Sequence, residues 1–142
     1  MSPSGDNFVD YHDCYNWMVN LVQEYEILPL KVGYDRYSAQ YLIQDLERFG
    51  FHTDDVVQAD NLWVVMQEVE GILRDGKMNI GNNQIMKAHF LNSAVKMNVE
   101  RGRGRLVKLS PSVHIDGMAA LLDAMTVRQK WYNEIGERLK NE

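Results

Sequence analysis

A chain of 142 residues with 45% hydrophobic and 25% charged residues has the size and make-up of one globular domain with its own core. Its single cysteine, Cys14, excludes an internal disulfide framework and any cysteine-based zinc cluster, and it suits a reducing cytoplasm. The formal net charge of -5 argues against a nucleic-acid binder taken as a whole, although an acidic total can still carry a local basic strip.

No apolar run approaches the ~20 residues of a membrane span. The opening "MSPSGDNF" lacks the basic and apolar regions of a secretory leader. Residues 1–8 read as a loose polar end and 9–142 as the domain. Asp10 stands as an N-cap with Asp13 as a capping-box-like partner. Cys14, Trp17, Met18, Leu21, Val22 and Tyr25 then follow at helical spacing and predict a helix over 11–26. Beyond Pro29, the alternation of Leu30, Val32 and Tyr34 predicts a short strand that ends in Asp35. Ser38 caps a second helix with Ala39, Tyr41, Leu42, Leu46 and Phe49 on its apolar side, closed by Gly50.

A short strand is expected near Val56 and Val57. Leu62, Val65, Met66, Val69, Ile72 and Leu73 mark a third helix, and "KMNIG" leads as an extended piece to a fourth with Ile85, Met86 and Phe90. Residues 94–109 read as a hairpin, "AVKMNV" and "RLVKL" around "ERGRG", with Gly102 and Gly104 at positive-φ turn positions. A last helix begins near Asp116, with Met118, Leu121, Leu122 and Met125 inward. Alternating helices and short strands argue one α/β domain.

Several chemistries have no motif here: GxxxxGK[ST], GxGxxG and HExxH are all missing, and the histidines at 12, 52, 89 and 114 lack ligand spacing. Cys14 reads as a helix-packing residue, with no neighbour to activate it as a nucleophile. Two acids stand out, Asp35 at a strand end and Asp116 at a helix start. Singly, Asp35 reads equally as a turn aspartate and Asp116 as a plain N-cap. Together, carboxylates from a strand end and a helix start can converge at the carboxyl edge of an α/β sheet, and such oxygen ligands suit Mg²⁺ or Mn²⁺. A pair of those ions activates water in phosphodiester hydrolysis. Asp123, two turns beyond Asp116 on the same face, is placed either as an outer ligand or as an ordinary helix-surface carboxylate.

"VGYDRYSAQYLIQDLERFGF", "VVQADNLWVVMQEVEGILRDGKMNIGNN" and "VKLSPSVHIDGMAALLDAM", in that order, resemble the nuclease half of the large terminase subunit of tailed bacteriophages. The likeness runs from about Phe8 to Val127, and "YDR" and "HIDG" are its most specific blocks. It implies an RNase H-like fold, a short mixed sheet flanked by helices with a hairpin before the last helix. The implied activity is metal-dependent cutting of concatemeric double-stranded DNA during head packaging, in the cytoplasm of a bacterial host. On this resemblance Asp35 and Asp116 are catalytic metal ligands, the "G-N" segment falls on Gly81 and Asn82, and Lys108 and His114 lie where the family contacts DNA. Arg103 and Arg105, in the basic run "ERGRGRLVK", join them as backbone contacts, or else serve as a solvated hairpin tip that keeps an edge from aggregating.

The family's opening strand, which carries its first metal carboxylate, has no counterpart in this sequence, and neither has the ATPase motor. The chain is therefore expected to be a partial domain. The rival reading is a noncatalytic remnant or docking module of the packaging machine. Under that reading the stripe Trp131, Ile135 and Leu139 of the last helix would be a partner surface, or else intramolecular core or a self-association face. A sheet edge exposed by the missing strand would invite pairing with a neighbour. Other terminase or packaging components are the expected partners, and a membrane is not.

Overall fold

The structure, a computed structural model, describes residues 10–37, 40–59 and 62–141. Nine elements follow one another: α1 (Tyr11–Gln23), β1 (Val32–Asp35), α2 (Gln40–Phe49), β2 (Thr53–Val56), α3 (Trp63–Arg74), α4 (Gln84–Leu91), β3 (Ser93–Asn98), β4 (Arg103–Lys108) and α5 (Asp116–Lys140). The α/β class expected from the sequence is the class observed. None of the described helices is long and apolar enough to cross a membrane. The expected loose end at residues 1–8 and the Ser38 cap lie outside the described residues.

One mixed sheet was the expectation, and the strands instead form two separate pairs among the described residues. β1 and β2 run parallel, Val32 opposite Thr53 and Asp35 opposite Val56. β3 and β4 form an antiparallel hairpin, Ser93 opposite Lys108 and Asn98 opposite Arg103. The hairpin is held instead against α3, where Gly104 of β4 lies on Trp63, a contact between residues far apart in the sequence.

The parallel pair is a thin central layer, and the two-residue period of its strands sorts side chains to opposite faces. Val32 and Tyr34 face one way and join a cluster built on Ile43, Leu46 and Phe51, covered by Tyr15, Met18 and Val22 of α1. Thr53, on the same face, donates its hydroxyl to Glu47 of α2 at 2.6 Å. Val56 faces the other way, into the larger core with Leu62, Val65, Val69, Leu122, Met125 and Val127. On that face Asp54 accepts from Lys130 at 2.8 Å and from the Trp131 indole at 2.9 Å. Gly33 and Asp35 share this side and therefore look at α5.

Glycine at position 33 is what lets α5 lie so low. A Cβ there would stand 2.6 Å from the Asp123 carbonyl oxygen and would also strike Val127. Gly104 plays the same part in the hairpin, which corrects its expected turn role: it is buried in β4, and a Cβ would stand 3.0 Å from the Trp63 ring and 2.9 Å from the Met97 sulfur. Gly102 does take the left-handed turn conformation, φ 63°.

Helix boundaries moved by a few residues from the sequence expectation. α1 ends at Gln23, capped at its start by Asp10, whose side chain accepts from the His12 amide. Trp17, Tyr25 and Tyr41 were expected on apolar faces and are exposed. Helical spacing alone did not separate them from Met18 and Ile43, which take the inward places on α1 and α2. On α5, Leu122 and Met125 are buried and Leu121 packs against them, as expected.

Candidate active site at the carboxyl end of the parallel pair

Three polar side chains lie where β1 and β2 end and α5 passes over them, two of them in direct contact. Asp35 is the last residue of β1, and its Oδ1 accepts the Tyr37 amide at 3.0 Å, so the turn role and the site role fall on one side chain. Gln58 follows β2 by two residues. Its amide nitrogen donates to Asp123 Oδ1 at 2.5 Å and to the Ala119 carbonyl at 3.1 Å, pinning two successive turns of α5 to the end of the sheet. Asp123 is buried, 7% exposed, the one buried charged residue among those described.

Burial and charge set the chemistry of this pair. Burial, first of all, pushes the Asp123 carboxyl up to about 6, the Gln58 hydrogen bond pulls it back in part, and the negative charge of Asp35 raises it further. Asp123 is therefore poised between protonated and ionised forms near neutrality, in the manner of functional carboxylates. Arg36, next to Asp35, does not neutralise the pair: it is closed on Asp55 at 2.6 Å on the far face of β2.

The expected site residues are distributed as follows. Asp35 lies within electrostatic reach of Asp123, both near the carboxyl end of the parallel pair. Asp116 is the first residue of α5, two turns before Asp123, roughly 10 Å along the axis. Its side chain is 85% exposed and lies 3.7 Å from His114 Nδ1. His114 lies near His89, the rings tilted at 40° with centroids 6.5 Å apart, and His89 Nδ1 accepts the Gly117 amide at 2.8 Å. That bond caps the opening turn of α5 with a side chain from α4, a role no sequence signal announced. Arg103, Arg105 and Lys108 are all exposed on β4, away from this edge in sequence and element.

Sequence reasoning missed Gln58. The available signal was its position, a polar residue just past an apolar strand end in "DDVVQAD", the same logic that picked out Asp35. Asp123 was read with the surface carboxylate as its alternative, and its burial decides against that alternative.

The two carboxylates are hard oxygen donors of the kind that suits a divalent cation. They are few in number. Among the described residues no group of three or more His, Cys, Asp or Glu side chains is placed to share a metal ion. No family model, curated protein or solved structure matches the chain.

Proposed function

We propose that this chain is a partial nuclease domain of the phage large-terminase type, with an RNase H-like fold whose intact parent hydrolyses phosphodiester bonds of double-stranded DNA with Mg²⁺ or Mn²⁺. The observation that supports this best is the placing of Asp35 at the carboxyl end of a parallel strand pair with the buried Asp123 of α5 within its electrostatic reach, at the edge where open α/β sheets bind their ligands. The order of elements agrees with the resemblance: a strand ending in "YD", a helix and second strand, a hairpin, and a helix opening on "ID".

Asp35 and Asp123 would hold the cation, while Asp116, exposed beside His114 at the start of the same helix, stands apart from them. When bound, the metal supplies an activated water and charge stabilisation for the leaving oxygen. The protein's own part is positioning. Gln58 fixes the Asp123 carboxylate and the α5 backbone, Gly33 sets the height of α5 over β1, and the Tyr37 amide orients Asp35. Duplex DNA and other packaging components are the partners on this reading, in a bacterial cytoplasm.

One observation favours a second reading, the noncatalytic remnant or docking module: the described residues bring only two carboxylates to the sheet edge. Calorimetric titration with Mn²⁺ and Mg²⁺ separates the two, run on the chain and on the Asp35→Asn, Asp123→Asn double variant, with plasmid cleavage assayed on the same samples and Asp116→Asn alongside. Binding lost in the double variant, with cleavage in the parent chain, upholds the nuclease. Metal binding without cleavage leaves a site but no enzyme, and equal heats from both proteins remove the site altogether.

A further inference from the structure

The hairpin is amphipathic, and its two faces have different fates. Side chains alternate, so Val95, Met97, Gly104 and Leu106 share the inner face, where Trp63 touches Gly104. Lys96, Arg103 and Arg105 share the outer face, with Arg101 at the tip. Lys108 falls on the parity of the inner face, at the far end from the tip.

Lys96 sits directly opposite Arg105. Like charges at that position of an antiparallel pair destabilise it. Elsewhere some cations close on acids, Arg36 on Asp55, Arg128 on Glu68 and Lys130 on Asp54, while the scattered Arg74, Lys77 and Lys87 form no ion pair among the described residues. The hairpin cations have no such partner among the described residues. Five of the chain's 15 basic residues lie between Ser93 and Lys108, with Glu100 alone of its 20 acids. A concentration of unpaired positive charge on an acidic chain, built at a cost to the ladder that carries it, fits a polyanion.

The hairpin is anchored through β4, where Gly104 lies against Trp63 and Leu106 packs on the larger core, while Val95 and Met97 stay about half exposed. At the tip the Asn98 Oδ1 accepts the Arg101 amide at 3.3 Å. Guanidinium and ammonium groups carried on a fixed strand contact phosphates without reading bases.

We infer that the outer face of the hairpin, Lys96, Arg103 and Arg105 with Arg101, is a docking surface for the phosphate backbone of duplex DNA, and that Lys108 is not part of it. The choice of DNA among polyanions rests on the proposed function; the choice of face rests on the strand register. Binding here requires neither metal nor the Asp35–Asp123 pair.

The test is fluorescence anisotropy with a labelled 25-base-pair duplex in EDTA, on the whole chain, across a salt series from 50 to 200 mM. Wild type is expected to bind with a steep salt dependence. The Lys96→Ala, Arg103→Ala, Arg105→Ala variant is expected to lose at least tenfold in affinity at low salt and about 2.7 in the log–log salt slope, at ~0.9 per phosphate contact removed. Lys108→Ala is expected to bind as wild type does. A triple variant with Gln in place of Ala keeps the side-chain stems and serves should the first fail to fold.

Unchanged DNA affinity in a folded triple variant overturns the inference, as does a loss on Lys108→Ala equal to that of the triple variant. Binding of polyglutamate in preference to the duplex overturns it as well, and so does a wild-type chain that does not bind DNA. Hairpin-dependent binding without metal-dependent cleavage leaves the inference standing while the nuclease reading fails. Cleavage with hairpin-independent binding does the reverse.

Discussion

Gly33 of β1 lies under Asp123 of α5 so closely that a single added carbon would stand 2.6 Å from the Asp123 carbonyl oxygen. The contact is backbone against backbone, so no rotamer change can relieve it. Gly33→Ala is expected to lift α5 from the strand and to cost about 1–3 kcal/mol, the usual range for overpacking. Thermal unfolding followed by circular dichroism measures it. A melting temperature equal to wild type would show that α5 does not sit on Gly33 as described.

The raised Asp123 carboxyl gives stability a particular pH dependence. The folded group keeps its proton to about pH 6, whereas an unfolded aspartate releases its proton near 3.8. Between those values the folded state binds more protons, so this group's effect on stability falls as pH rises from about 4 to about 6 and is flat above. Asp54 contributes in the opposite sense: burial works against its charge, but the Lys130 and Trp131 donors outweigh it and hold the carboxyl below its ordinary value, so its stabilisation is lost only in stronger acid. Urea unfolding of wild type and Asp123→Asn at pH 4.5 and pH 7 separates these effects. The Asn variant is expected to be more stable than wild type at pH 7, with the gap closing at pH 4.5.

Gln58 carries two hydrogen bonds from the sheet end to α5. Gln58→Ala leaves the buried Asp123 oxygen without its donor, and an unsatisfied buried polar group costs about 1–3 kcal/mol. Losing that donor also removes the one interaction that holds the Asp123 carboxyl down, so its titration should move further up. NMR titration of the Asp123 side-chain carboxyl carbon reads this directly. An unmoved midpoint would place Gln58 outside the pair.

A divalent cation favours the ionised form of both carboxylates. Millimolar Mn²⁺ is therefore expected to raise the melting temperature at pH 7, by the equivalent of about 1.4 kcal/mol at ten times the dissociation constant. The rise should vanish in Asp35→Asn, Asp123→Asn. A rise of the same size in that variant would assign the metal to other residues.

His89 caps α5 through Gly117. His89→Ala is expected to cost about 1 kcal/mol, as other lost caps do. Hydrogen exchange should show faster exchange confined to the first turn of α5, with Asp123 and the sheet edge unaffected. Faster exchange along the whole helix would mean that α4 supports α5 by packing and not through this bond.

Much of the element order could be read from periodicity, because α3 and α5 bury positions that their spacing marked, Val65 and Leu122 among them, and β1 half-buries Val32. The pairing of strands could not. Nothing local distinguishes a hairpin that joins a neighbouring sheet from one that folds its ladder onto itself, and the deciding contact, Gly104 on Trp63, joins residues 41 positions apart. For the site, the strand-end logic found Asp35, and the helix period placed Asp123 on the face of Asp116. Which of the two α5 carboxylates reaches Asp35 depends on how far α5 slides along β1, and that is set by Gly33 and Val127 in three dimensions.

α5 is 25 residues long, on the order of 37 Å, and touches both strands of the parallel pair. Asp123 meets Gln58 and Asp35 near one end of it, and Trp131 meets Asp54 eight residues on. The helix thus works as a ruler laid across the sheet, with two marks that must both fall in place. Removing or adding one residue between them turns every later side chain by about 100°. Such a chain could keep its helix content and much of its apolar burial, yet it could register Asp123 or Trp131, never both.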